Sequence, residues 1–98
     1  MILRTFRGTV RRGSEEAFYA LIRERVRRFR TEHDLVDSHL ARRMSDDGDR
    51  FLVTTHWPDW DALRAWAGDR IDEPWRFDEL LPYLVEWEVE HYEELDHP

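Results

Sequence analysis

Ninety-eight residues are enough for one hydrophobic core and too few for two, so the chain reads as a single domain over residues 1–98. A net charge of −7, with every one of the fifteen basic residues an arginine, excludes the dense basic surface that nucleic-acid phosphates require. The lack of cysteine excludes disulfides, thiolate metal sites and a thiol nucleophile.

The first apolar stretch carries Arg4 and Arg7, which no signal peptide or membrane span tolerates, so the cytoplasm is the expected location and no membrane partner is expected. Ile2, Thr5, Phe6, Thr9 and Val10 predict a first strand over residues 2–12. Gly13-Ser14 ends it, with Ser14 as the expected N-cap and Glu15 and Glu16 in the first turn of a helix that runs to about residue 32. Phe18, Leu21, Ile22, Val26 and Phe29 fall on one face of that helix. Its arginines alternate with Glu24 and Glu32, and Arg28 lies four residues after Glu24, so a solvated, salt-bridged face is expected there.

Residues 35–44 and 51–57 predict two further strands, joined as a hairpin by the turn Asp46-Asp47-Gly48-Asp49. Pro58-Asp59 opens a second helix that reaches Ala67, with Trp60, Leu63, Ala67 and Trp66 toward the core and Gly68 as its C-cap. A short helical turn is expected over residues 77–81, and a last strand over residues 83–93. In that strand Tyr83, Val85, Trp87 and Val89 alternate with Leu84, Glu86, Glu88 and Glu90.

The order is β-α-β-β-α-β, an α+β, ferredoxin-like split unit with a four-stranded antiparallel sheet and both helices on one face. The other face must be solvated or covered. Phe51, Val53 and Trp57 share one side of their strand and Leu52 takes the other, so both faces carry apolar residues. Two sheets packed together in a homodimer is the simplest outcome, with Val53 taken as a residue of that interface.

Four blocks, Ile2-Leu3-Arg4-Thr5-Phe6-Arg7-Gly8, Phe51-Leu52-Val53-Thr54-Thr55-His56-Trp57, Asp61-Ala62-Leu63-Arg64-Ala65-Trp66-Ala67-Gly68 and Glu90-His91-Tyr92-Glu93, resemble the antibiotic biosynthesis monooxygenase (ABM) family in order and spacing. The resemblance implies a dimeric α/β barrel, each subunit with a pocket between sheet and helices. It also implies several possible activities: cofactor-independent oxygenation of phenolic polyketides, haem degradation, or roles outside catalysis. The haem-degrading branch uses a first-strand Asn, a Trp and a His ten residues beyond it. Here Trp66 matches the Trp, no Asn exists, and Arg76 stands at the His position.

An oxygenase without a cofactor needs an apolar cavity and polar groups that deprotonate a phenol and hold its anion. Trp66 fits the pocket aromatic of that branch. By residue type His56, Arg76 and His39 are the catalytic candidates, and Trp66, Trp75, Trp57 and Tyr83 the substrate-binding ones. Trp57 and Trp60 read better as staples between the third strand and the second helix than as substrate contacts, and His91 reads as a strand-pairing or dimer-seam residue. Glu88 and His91 fall on opposite faces of a strand, so no metal site is assigned, and no cofactor. The leading expectation is a cofactor-independent monooxygenase, or related pocket protein, for a small aromatic or polyketide-like ligand. The alternatives are a non-catalytic dimeric ligand-binding or stress-associated module of the same fold, and an isomerase or cyclase using the same cavity. A cavity of about 300 Å³ or more with convergent polar groups separates a site from a filled core.

Overall fold

The computed structural model describes residues 1–33, 37–72 and 78–95. The elements are β1 (Ile2–Val10), α1 (Glu15–Glu32), β2 (Ser38–Arg43), β3 (Arg50–Trp57), α2 (Trp60–Ala67) and β4 (Leu84–Glu93), with 3₁₀ turns at Gly68–Arg70 and Asp78–Tyr83. The sheet order is β2-β3-β1-β4 with every neighbouring pair antiparallel. This is the ferredoxin-like arrangement expected from the element order. Among the described residues no helix is long and apolar enough to cross a membrane.

Alternation along β1 decides the layering. Ile2, Arg4, Phe6, Gly8 and Val10 are buried, while the odd positions are half-buried or exposed. On β3 the buried set is Phe51, Val53, Thr55 and Trp57. These inner residues meet Phe18, Ile22, Val26 and Phe29 of α1 and Leu63, Trp66 and Ala67 of α2 in one cluster. Complete burial of side chains such as Phe18, Ile22 and Leu63 stabilises the fold by roughly 1.5–3 kcal/mol each.

Val53 therefore belongs to the core under the helices and not to an interface between sheets. It is 5% exposed and pairs with Phe6, whereas its neighbour Leu52 points to the outer face opposite Arg7. The expectation had the right alternation on the strand but chose the wrong member of it for the interface. Around Leu52 the outer face presents half-buried Leu3, Thr5 and Thr54, then Arg7 bonded to Glu88 and Glu90 on β4.

Three local expectations change for identifiable reasons. Ser14 occupies the N-cap position of α1, yet only its backbone carbonyl serves there, accepting from Phe18 N at 2.9 Å; Glu15 Oε1 instead accepts from Gly13 N at 2.6 Å. Trp60 is the first residue of α2 and is 38% exposed, because its ring reaches past the core to cover His91 on β4, 5.7 Å between ring centres. In β4 a register shift opposite Thr9 and Val10 makes Val85 an extra residue. Leu84 thus turns inward against Val10, while Val85 and Trp87 stay exposed.

Elsewhere the local chemistry matches. Asp59 caps α2 by accepting from Ala62 N at 2.8 Å, and Gly68 closes it with φ +63°. On α1, Glu24 bonds Arg27 at 2.7 Å and stands 3.9 Å from Arg28, so the nearer arginine takes the carboxylate. Gly48 closes the β2–β3 turn at φ +114°, beside the bond from Val10 N to Asp49 O that ties the turn to β1.

A Cβ on Gly48 would lie 2.3 Å from the Val10 carbonyl oxygen, while one on Gly13 (φ +90°) meets nothing within 4 Å. Gly48→Ala should therefore lower unfolding free energy by at least about 2 kcal/mol, where Gly13→Ala costs about 1 kcal/mol. Urea melts of both variants check this, and equal losses would show that the turn can move away from β1.

Candidate functional site

The cavity between sheet and helices lies at the end of the core where β1 begins and β3 ends. Arg4 and Phe6 of β1, Val53 and Thr55 of β3, Ser38 of β2, Val26 and Phe29 of α1 and Trp66 of α2 line it. Its enclosed space is about 20 Å³, enough for a single water. The walls are mostly apolar. Trp66 stands 5.7 Å from Phe29 and 5.3 Å from Trp57, ring centre to ring centre, so the three aromatic rings form one cluster beside the cavity, with Phe29 edge-on to both tryptophans.

Three polar groups converge on this apolar space. Thr55 is 7% exposed, and its Oγ1 accepts from Trp57 Nε1 at 2.9 Å, which leaves the hydroxyl proton to be donated elsewhere. Ser38 is fixed from α1, with Arg30 Nε donating to its Oγ and Arg30 Nη2 to its carbonyl, both at 3.0 Å. The third group is Arg4, only 4% exposed, with its guanidinium 5.5 Å over the Trp66 ring.

Arg4 is held at the cavity by a built network. Its Nη1 donates to the Ile71 carbonyl at 2.5 Å and lies 2.7 Å from His91 Nε2. An arginine can only donate, so Nε2 is the acceptor, and the proton of a neutral His91 sits on Nδ1. That nitrogen faces Asp72 Oδ1 at 3.8 Å. Burial pushes Arg4 down to about 10, partly offset by Asp72, so it stays a cation at neutral pH. Burial, and then the Arg4 charge, hold His91 below the ordinary histidine range, with Asp72 opposing.

The expected site residues divide by location. Trp66 lines the cavity and Trp57 supports it from behind, holding Thr55. Tyr83 lies at the other end of the core, its ring 6.5 Å from Phe18. His56 and His39 do share a face, but it is the outer face of the sheet: His39 pairs with Thr54 and His56 with Leu3. Their acidic neighbours are Asp37 at 3.5 Å and Glu94 at 3.7 Å, and neither histidine borders the cavity. Strict alternation explains this, since Thr55 and Trp57 take the inner positions on either side of His56. Arg76 and Trp75 lie outside the described residues.

Arg4, Ser38, Thr55, Asp72 and the inward role of His91 were not anticipated. For Arg4 the signal existed. It occupies an even position between Ile2 and Phe6, and the two-residue period that puts those inside puts it inside as well. His91 follows, because it is the β4 residue directly opposite Arg4.

The fold and cavity define a ferredoxin-like α+β domain with an aromatic-walled space between sheet and helices. The model of the antibiotic biosynthesis monooxygenase family matches residues 1–70, and the chain belongs to that family. Among solved structures, a conserved protein from Methanosarcina mazei is similar with a TM-score of 0.71 at 15% identity, covering 97% of this chain and 94% of that one. A candidate antibiotic biosynthesis monooxygenase from Deinococcus radiodurans gives 0.68 at 15% identity over 100% and 96%. SnoaB, a cofactor-independent oxygenase from Streptomyces nogalater, gives 0.67 at 19% identity over 98% and 94%. Likenesses at such identities establish the fold. The oxidoreductase cicC of Emericella nidulans is 47% identical over 36 residues, which is 37% of this chain and 6% of that protein's length.

Proposed function

We propose that this protein is a cofactor-independent monooxygenase whose ligand is a small aromatic or polyketide-like molecule bound between helices and sheet. The observation that carries the reading is a buried guanidinium stacked on Trp66 at the edge of an aromatic-walled cavity. Membership of the family and the likeness in fold to the oxygenase SnoaB support it. Aromatic walls suit a planar ring, and a cation beside them suits the oxyanion of a deprotonated phenol or enol. The substrate itself then supplies the electrons. A ring CH₂ group loses a proton, the carbanion reduces O₂, one oxygen atom becomes the new carbonyl, and the other leaves as water with both methylene hydrogens.

The 20 Å³ space is far below the 300–1,000 Å³ of typical ligand pockets. In this reading the cavity opens on binding, with Phe29 and Trp66 turning aside. The same volume favours the second reading, a non-catalytic dimeric ligand-binding or stress-associated module with a filled core. Oxygen consumption with an anthrone bearing a free phenol separates the two. The oxygenase reading expects one O₂ consumed per quinone formed, with Arg4→Gln slower by about 10²-fold. No turnover with anthrones, in protein whose tryptophan fluorescence also ignores them, contradicts it and leaves the module.

Either reading has the chain acting as a homodimer through the outer sheet face, where Leu3, Thr5, Leu52 and Thr54 form a half-buried centre flanked by Arg7, Glu88 and Glu90. Leu52→Asp places a charge there without touching the core. Sedimentation should show a dimer for the parent protein and a monomer for the variant; a dimer that persists would rule this face out.

A further inference from the structure

Charges on the outer sheet face are sorted by edge. The strand register sets one row of side chains across that face: Arg43 of β2, Arg50 of β3, Thr9 of β1 and Glu86 of β4. Glu88 and Glu90 follow on β4, and both take Arg7 as partner, at 3.1 and 2.8 Å. Glu86 accepts only a long hydroxyl bond from Thr9, 3.3 Å, among the described residues. Three carboxylates against one guanidinium leave the β4 edge anionic. The opposite edge is cationic. Arg43 and Arg50 are exposed and stand directly across from each other, and neither forms an ion pair among the described residues. Like charges in a cross-strand pair repel, so this edge gains from an anionic neighbour.

We propose that the outer face binds a second copy of this chain about a two-fold axis parallel to the strands, so that the β4 edge of each copy lies on the Arg43–Arg50 edge of the other. The proposal rests on the homodimer reading above and adds the orientation, which that reading leaves open. A partner of uniform sign would be repelled at one edge of this face. A surface carrying the two signs in reverse order matches both edges, and the rotated chain is such a surface.

Rotation about an axis along the strands exchanges the edges and keeps each row level. Glu86 then lies over Arg43 of the second copy, Glu90 over His39 and Thr5 over Thr54. The stem of Arg7 covers Leu52 of the second copy, apolar on apolar. A groove of about 260 Å³, lined by Arg7, Thr9, Arg50, Glu86 and Glu88, opens where the rotation brings Arg50 of the second copy. Sheets stacked about 10 Å apart leave room for an arginine and a glutamate to meet end to end. A two-fold axis perpendicular to the strands would instead lay β4 on β4, carboxylates on carboxylates.

The test is charge reversal at two exposed positions, read by sedimentation equilibrium. Arg43→Glu should weaken the dimer at least about tenfold, because the change acts twice in a symmetric pair, and Glu86→Arg should do the same. The double variant Arg43→Glu/Glu86→Arg should recover most of that loss. Recovery can arise only between copies, since three strand spacings hold the two positions about 14 Å apart within one chain. Near-UV circular dichroism confirms that the variants fold. A dimer unchanged by Arg43→Glu, or a double variant no tighter than the single ones, overturns the proposal. If Leu52→Asp breaks such a dimer, the face stands and only its orientation falls. A parent protein that sediments as a monomer, or a dimer indifferent to Leu52→Asp as well, removes the face and the proposal together.

Discussion

A guanidinium taken out of water must be hydrogen-bonded on several sides, and Arg4 sets that demand at the centre of this molecule. It occupies a core position of β1, 4% exposed, where its neighbours in the alternation are Ile2 and Phe6. The surroundings answer one by one. The turn after α2 ends so that the Ile71 carbonyl points at Nη1, β4 presents His91 directly opposite, and Trp66 offers the face of its ring. The Trp60 ring then covers His91, and Asp72 faces its Nδ1 from the protein surface. Replacing one member leaves another buried polar group without its partner, so the cluster constrains β1, α2 and β4 together.

The cavity follows from the same constraint. Arg4 lines the cavity together with Phe6, Phe29, Val53 and Trp66, so a charged side chain borders space that is otherwise walled by apolar groups. Thr55 and Ser38, both below 10% exposed, are anchored there by Trp57 and Arg30. Chemistry suited to an oxyanion thus sits inside an otherwise hydrophobic layer. The opposite sheet face has a different character, with Arg7 tied to Glu88 and Glu90 across two strands and the imidazoles of His39 and His56 above it. The inner face thus encloses the cavity, and the outer face carries a charged network across two strands.

Most of the architecture was legible in the residues because local signals agreed with one another. Two-residue alternation in β1 and β3, the stripe Phe18, Ile22, Val26 and Phe29, the Asp59 cap and the Gly48 and Gly68 turns all specify the same layers. What failed was one step removed from local pattern. A bulge changes which side chains of β4 face inward, and no feature of Leu84-Val85 announces it, because both residues are apolar. The histidines were grouped by residue type, although alternation places His56 outside and His91 inside. That could be read only with a strand register, and the register depends on the pairing partner.

The account stands on the neutral, Nδ1-protonated state of His91 opposite a charged Arg4. Nitrogen-15 NMR of the histidine rings in the ligand-free protein at neutral pH reads that state directly. The account predicts that the His91 ring shows a protonated Nδ1 and an unprotonated, hydrogen-bond-accepting Nε2, a signature lost in Arg4→Gln. An imidazolium, or the proton on Nε2, would contradict it and would separate Arg4 from His91.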